Sequence, residues 1–522
     1  MKRFMILLIS MIATCTVSAQ VNTQNYIRGR RMLNTTGTSY IDDIRYFDGL
    51  GRPSLSVNKV VQTNMVKERL ATLQEYDYYN RETNAWLPIP VAADYVEPAV
   101  YKSAARGTDG YGDNCPYSFP IYEASPLNRP WRQYGAGMMW HDNDRAMTTE
   151  YLVNTAEGDL SCLLYTVDNG SLTGGSVCYA ANLLNVVKTI DEDYNVSYVF
   201  IDGLGRTVLE RQMNGNETYD TYYVYDNKEN LCFVLQPMYQ TVTDLDLYAF
   251  QYRYDGHRNC IWKKLPGAEY AVYEYDAADR LIFSQDGNQR VSGKWAYYLY
   301  DNLGRLTQKG ECTGKEISSN AVVYMQNFYD NYSFRSQSGF DTDTFPDGGT
   351  NGKGALTGSI ITALDRSVKI YCASYYDIKG RTVRTVQSNL LGGYDVTTTV
   401  YTFSDNPATV THVHTASGKN TQTEVYTYTY DYANRISKIE HTLNGSKVTL
   451  VSNTYDKFGR LSSKSLHGSA TNKLDYAYNI RSWLTGINGM HFAQNLYYNT
   501  GNATSRYNGN ISSMTWKAGT ES

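Results

Sequence analysis

Eight times along this chain an Asp is followed four residues later by an Arg, and the residue just before that Arg is always Gly, Asn or Asp. The copies are Asp48, Gly51 and Arg52; Asp77, Asn80 and Arg81; Asp202, Gly205 and Arg206; Asp276, Asp279 and Arg280; Asp301, Gly304 and Arg305; Asp377, Gly380 and Arg381; Asp431, Asn434 and Arg435; and Asp456, Gly459 and Arg460. In six of the eight a Tyr precedes the Asp. A sequence this periodic is built by stacking one small unit rather than by packing independent domains.

Each copy reads as a β-hairpin turn. Asp favours the first place of a type I turn because its carboxylate accepts from backbone N–H groups two residues on. The fourth place must turn left-handed to form the bulge that closes a three-residue loop, which Gly does freely and Asn or Asp tolerate. These residues are therefore expected to be architectural rather than catalytic or metal-binding. Looser copies follow Asp226 and Asp255, where Asn230 and Asn259 suggest a loop one residue longer. At Tyr476-Ala477-Tyr478-Asn479 an Asn replaces the Asp.

Ahead of the turns comes Tyr-x-Tyr, as at Tyr273 and Tyr275, Tyr298 and Tyr300, and Tyr428 and Tyr430. Alternate strand positions share a face, so these rings form a ladder on one side of the sheet. Tyr, 49 of 522 residues, suits a thin wall, with a broad apolar ring and a hydroxyl left in water. The motif Arg can lie over such a ring or pair with a neighbouring carboxylate, for about 0.5 to 1 kcal/mol where exposed. A repeat of about 25 residues makes two strands plus turns.

Residues 1–19 read as a secretory signal peptide: Lys2 and Arg3, an apolar run from Phe4 to Ile12, and the small-residue exit Val17-Ser18-Ala19. The run is too short for a transmembrane anchor, so export to a secreted, periplasmic or surface location is expected. A lipoprotein anchored at Cys15 is the lesser alternative. The formal charge of −4 leaves no nucleic-acid footprint. Seven further Cys include no C-x-x-C pair, and Cys162 with Cys178 is the one close pair that could bridge.

The parts follow in order. Residues 20–150 form an N-terminal capping domain whose Pro-rich stretch, Pro88 to Gly137, reads as loops rather than long strands. Residues 151–190 form a linking β region with a hairpin turn at Asp168-Asn169-Gly170. Residues 191–522 carry the hairpin array, interrupted by a Gly-rich surface loop at 340–358. Val66 to Leu73 is the one stretch that could be helical for more than two turns.

Candidate chemistry is sparse. Asp341, Asp343 and Asp347 fail the EF-hand spacing. His412 and His414 would share a strand face without a third metal ligand. His141-Asp142-Asn143-Asp144 reads equally as an acid/base group or a polar turn. The motifs of nucleophilic hydrolases, P-loops and zincins are missing, and no carboxylate pair stands out for glycoside hydrolysis. Neither a catalytic role nor a cofactor or metal is expected.

The unit Tyr300-Asp301-Asn302-Leu303-Gly304-Arg305-Leu306 resembles the RHS or YD repeat of bacterial polymorphic toxins, found also in insecticidal toxin complexes and teneurins. The head, with Tyr46-Phe47-Asp48-Gly49-Leu50-Gly51-Arg52-Pro53 and Glu123-Ala124-Ser125-Pro126-Leu127-Asn128-Arg129, is similar to the domain of unknown function that precedes such repeats in secreted members. The resemblance implies an all-β fold, antiparallel hairpins winding into a curved strip or partial shell. The family's shell encloses a C-terminal toxin released by self-cleavage. This sequence departs from that pattern in its tail, Lys517 to Ser522, which has neither the Asp-Pro-containing core signature nor an effector. The expectation is a secreted, non-catalytic scaffold, a shell fragment or truncated product, that encapsulates or displays a polypeptide. Its expected partner is a polypeptide cargo or downstream toxin or immunity product. The alternative is a surface carbohydrate- or protein-binding protein, with a glycan as partner and Trp295, Trp483 and Trp516 as contacts.

Overall fold

The computed structural model describes residues 24–363 and 368–519, so the leader and Cys15 lie outside the described residues. Thirty-four strands form one sheet. Most successive strands pair antiparallel, from Asn25–Met32 against Tyr40–Phe47 to Phe492–Tyr497 against Ser513–Ala518. Those first and last strands each have one strand neighbour among the described residues, and the sheet is open.

The turns follow from the motif. The Asp48 amide donates to the Arg52 carbonyl at 2.9 Å and the Gly51 amide to the Asp48 carbonyl at 3.0 Å. Gly51 takes φ 80°, and the strand register shifts beside it. Asp48 Oδ1 accepts from the amides of Leu50 and Arg52, and Oδ2 accepts from Arg52 Nε. The same pattern recurs at Asp77, Asp202, Asp276, Asp301, Asp377, Asp431 and Asp456. The loops at Asp226 and Asp255 are not longer: Glu229 and Arg258 take the left-handed place with φ 68° and 71°. Asn230 and Asn259 instead stand where the Arg would, each donating Nδ2 to its Asp Oδ2.

The motif Tyr residues are not left with wet hydroxyls. Each reaches back to the carbonyl that follows the previous turn: Tyr300 to Leu281 at 2.8 Å, Tyr455 to Ile436 at 2.8 Å and Tyr478 to Leu461 at 3.0 Å. The previous hairpin's Arg lies over the ring, as Arg381 over Tyr401 at 4.5 Å. Consecutive hairpins are thus cross-linked at the turns by side chains as well as by backbone. Tyr300→Phe, which keeps the ring and removes the donor, is expected to cost about 0.5–1.5 kcal/mol, read as a lower urea midpoint.

Three buried clusters lie on the opposite face from the Tyr ladder, each covered by an insertion. Tyr222 and Val224 sit in one cluster, and by strand alternation Tyr223 and Tyr225 point the other way. The cover there is the separate hairpin Leu163–Asp168 with Ser171–Cys178. Asn169 and Gly170, at φ 47° and 77°, form its two-residue turn. Cys178 pairs with Leu163 rather than Cys162, and both thiols are free. The head's cluster includes Tyr101 on a helix, Pro98–Arg106, inside the stretch expected to be loops. That stretch also holds strands Tyr117–Tyr122 and Pro130–Tyr134. Val66 to Leu73 is strand, within Met65–Tyr76.

The third insertion is 331–355. Phe340 and Phe345 are buried with Phe334 and Tyr375, so 340–358 is not simply a surface loop. It grows out of an expanded repeat turn, in which Asp330 still donates its amide to a carbonyl across the turn, now that of Ala355. Asp330 accepts a two-pronged contact from Arg305, 2.6 Å at its closer arm, and that contact pulls its carboxyl down to about 2. An unfolded Asp titrates near 3.9. The stability from this group is therefore complete above about pH 4 and is lost as pH falls toward 2. Asp330→Asn is expected to flatten that part of the acid-unfolding curve, measured by denaturant midpoint against pH.

The chain exposes 30145 Å², whereas a compact monomer of its 59.0 kDa would expose about 19,000 Å². A wall one sheet thick, wet over much of both faces, accounts for the excess.

Candidate functional site: a seam between two layers of hairpins

The strands run between two rims. The eight motif turns lie on one, the motif rim, because an even number of paired strands separates each turn from the next. The far rim carries the connections between hairpins. Late in the chain the motif rim meets the far rim of the head, so the strip has wound through one turn.

The contacts advance in parallel along both layers. Arg435 reaches Glu68 at 3.4 Å. Lys457 Nζ donates to the Asp109 carbonyl at 2.5 Å, and Phe458 stacks on Tyr111 with ring centres 4.7 Å apart. Arg481 donates Nε to the Ala136 carbonyl at 2.8 Å and lies 3.3 Å from Glu192. Tyr507 donates its amide to Asp193 at 2.8 Å, and Asn508 donates Nδ2 to Asp191 at 2.9 Å.

At the centre lies Trp140, on the short helix Met138–Asp142. Its indole N–H donates to the Tyr507 carbonyl at 2.8 Å. Trp483 and Tyr507 meet it edge-on at 5.6 and 5.9 Å, and the Arg481 guanidinium covers its face at 3.9 Å. Gly137, at φ 114°, leaves room for the Trp140 ring of its own layer and for Ile480 of the second, since a Cβ there would fall 2.7 Å from the ring and 3.1 Å from Ile480 Cγ2. Burial pushes the Arg481 guanidinium below its ordinary value, with Glu192 opposing. A cavity of ≈ 390 Å³ opens beside Tyr111, Phe458 and Trp483.

The repeat residues stand apart from any reactive group. Both carboxylate oxygens of the motif Asp are taken by backbone amides and the motif Arg, so they scaffold the rim. His141, pushed down by burial, packs among Tyr117, Phe119 and Tyr134 and contacts the Gly135 carbonyl. His412 pairs with Thr397, and His414 with Asp395. Asp341 caps its own loop at Thr344. Among the described residues no three His, Cys, Asp or Glu are placed to hold a metal, and no helix is long and apolar enough to cross a membrane.

Sequence reasoning did not find the seam, though the departures in the repeat marked it. In the Asn479 copy the Arg stands two places early, at Arg481, with Trp483 in its usual place. Freed from its own turn, the guanidinium crosses to the first layer.

Two crystal structures share this architecture: TcdB2-TccC3 at a TM-score of 0.62 and 14% identity, and TcdB2-TccC3 without its hypervariable C-terminal region at 0.60 and 14%. The alignments cover 92% and 95% of this chain. The chain spans 23% of each of those chains. Residues 17–153 match DUF6443, a domain of unknown function. The DUF6443 segment takes in the first nine strands, the helix Pro98–Arg106 and Trp140, so it supplies much of the first-layer side of the seam. A search of curated proteins by sequence returns no match. The chain thus has the fold of an open RHS-like β-sheet wall, and its head matches DUF6443.

Proposed function

We propose that this chain is a non-catalytic, toxin-associated scaffold, a curved wall segment that surrounds or displays a polypeptide. The observation that carries the reading is the seam. A strip that returns on itself with its layers in parallel succession is a coil, and a coil one sheet thick bounds a space. The DUF6443 head would then act as the starting cap of a polymorphic-toxin type of shell, on which the second layer is laid. Export through the leader at 1–19 belongs to the same proposal.

The glycan alternative has less support, because Trp483 packs in the seam and Lys315 lies 4.5 Å from the Trp295 ring centre. Trp516, 64% exposed, is the one candidate that remains open to solvent.

Co-expression with the polypeptide encoded immediately downstream, followed by limited proteolysis, tests the reading. Mutual protection of the two chains is expected. Cleavage of both at unchanged rates would sink the cargo role.

A further inference from the structure

In the second layer, the two residues after the turn Asp or Asn make the seam: Lys457 and Phe458 on Asp109 and Tyr111, and Ile480 and Arg481 on Gly137 and Ala136. At several of the same places in the first layer apolar side chains stand bare, with Lys228 and His257 at turns between them. Leu204 is 65% exposed, Leu303 76% and Ile378 92%, with Leu50, Tyr78 and Tyr79 in line on the same rim. A row of apolar tips recurring at a position that elsewhere buries itself is an unfilled interface rather than scattered surface. The second layer's far rim is bare as well. Leu443, Val448 and Leu466 are exposed beside it, and Met490 is 59% exposed.

We infer that two copies of this chain stack head to tail, the first-layer motif rim of one seated on the second-layer far rim of the other. The contact continues between molecules the arrangement that the seam makes within one, motif tips on a far rim, with the turn Asp and Arg residues already neutralised by each other. Because the two surfaces differ, the interface is heterologous and can propagate into a column. The inference rests on the seam geometry and does not depend on the cargo reading, so either can fail alone.

Light scattering across a concentration series of the full chain reads the result. The average mass is expected to climb above 59.0 kDa as concentration rises. Leu204→Asp with Leu303→Asp on the motif rim should hold the chain at monomer mass, and so should Met490→Asp on the far rim. All three positions are solvent-exposed, so folding should survive, checked by circular dichroism. Mixing the two variants leaves one intact surface on each and should restore a dimer of twice the monomer mass, without longer species. A wild-type mass fixed at the monomer value at every concentration overturns the inference. Assembly abolished by the motif-rim changes but untouched by Met490→Asp would also overturn it, since it would mean that the motif rim pairs with its own symmetry copy.

Discussion

Replacing Trp140 with Ala is expected to open the coil while leaving the hairpins intact. The side chain is 2% exposed and is wedged between layers by Trp483, Tyr507 and Arg481. Truncating a buried aromatic of this size costs about 3–5 kcal/mol. The loss falls on the seam, because the Tyr507 carbonyl loses its donor and Arg481 loses the ring beneath it. The backbone ladder needs neither. Faster amide exchange at 480–483 and 505–509 and a larger radius of gyration by X-ray scattering are expected, with strand content unchanged. Trp516→Ala, at the exposed last strand, should do neither. If exchange at 505–509 stays slow in Trp140→Ala, the polar contacts at Asp191 and Asp193 hold the layers without the indole.

The hairpins were legible in the sequence because their chemistry is local. An Asp, a left-handed residue and an Arg within five positions specify a turn on their own. The reading failed where another residue took the left-handed place. Asp191 opens a full repeat turn, with its amide bonded to the Asn195 carbonyl, but Tyr194 stands at φ 65° where the motif has Gly, Asn or Asp. Glu229 and Arg258 misled for the same reason, since hydrogen bonds to the turn Asp outweigh the small strain of a left-handed side chain. The seam was illegible for a different cause. Its partners, such as Glu68 and Arg435, are separated by 367 residues, and their meeting depends on the accumulated curvature of the sheet, which no local pattern encodes. The inserted cover at 331–355 was hidden by its glycines, although Phe340 and Phe345 already marked it as packed.

The largest effect on the wall itself is expected at Asp220. Arg211 and Asp220 face each other across neighbouring strands and form two hydrogen bonds, at 2.7 and 2.6 Å, with both side chains buried. Arg211 also donates to the carbonyls of Asp159 and Ser161, tying the covering segment to the sheet. Burial depresses the guanidinium's affinity for its proton, but Asp220 outweighs that and leaves it raised, so the charge persists. Asp220→Ala strands this charge inside the largest cluster, at a cost of about 3–5 kcal/mol. Arg211→Met with Asp220→Leu should recover most of it, since a buried pair can often be exchanged for apolar groups of similar volume at little cost. Denaturant unfolding of the two single variants and the double gives the coupling between them. If the double variant regains stability while proteases now cut between 154 and 184, then the pair serves chiefly to hold the covering hairpin, through Asp159 and Ser161, rather than to stabilise the sheet.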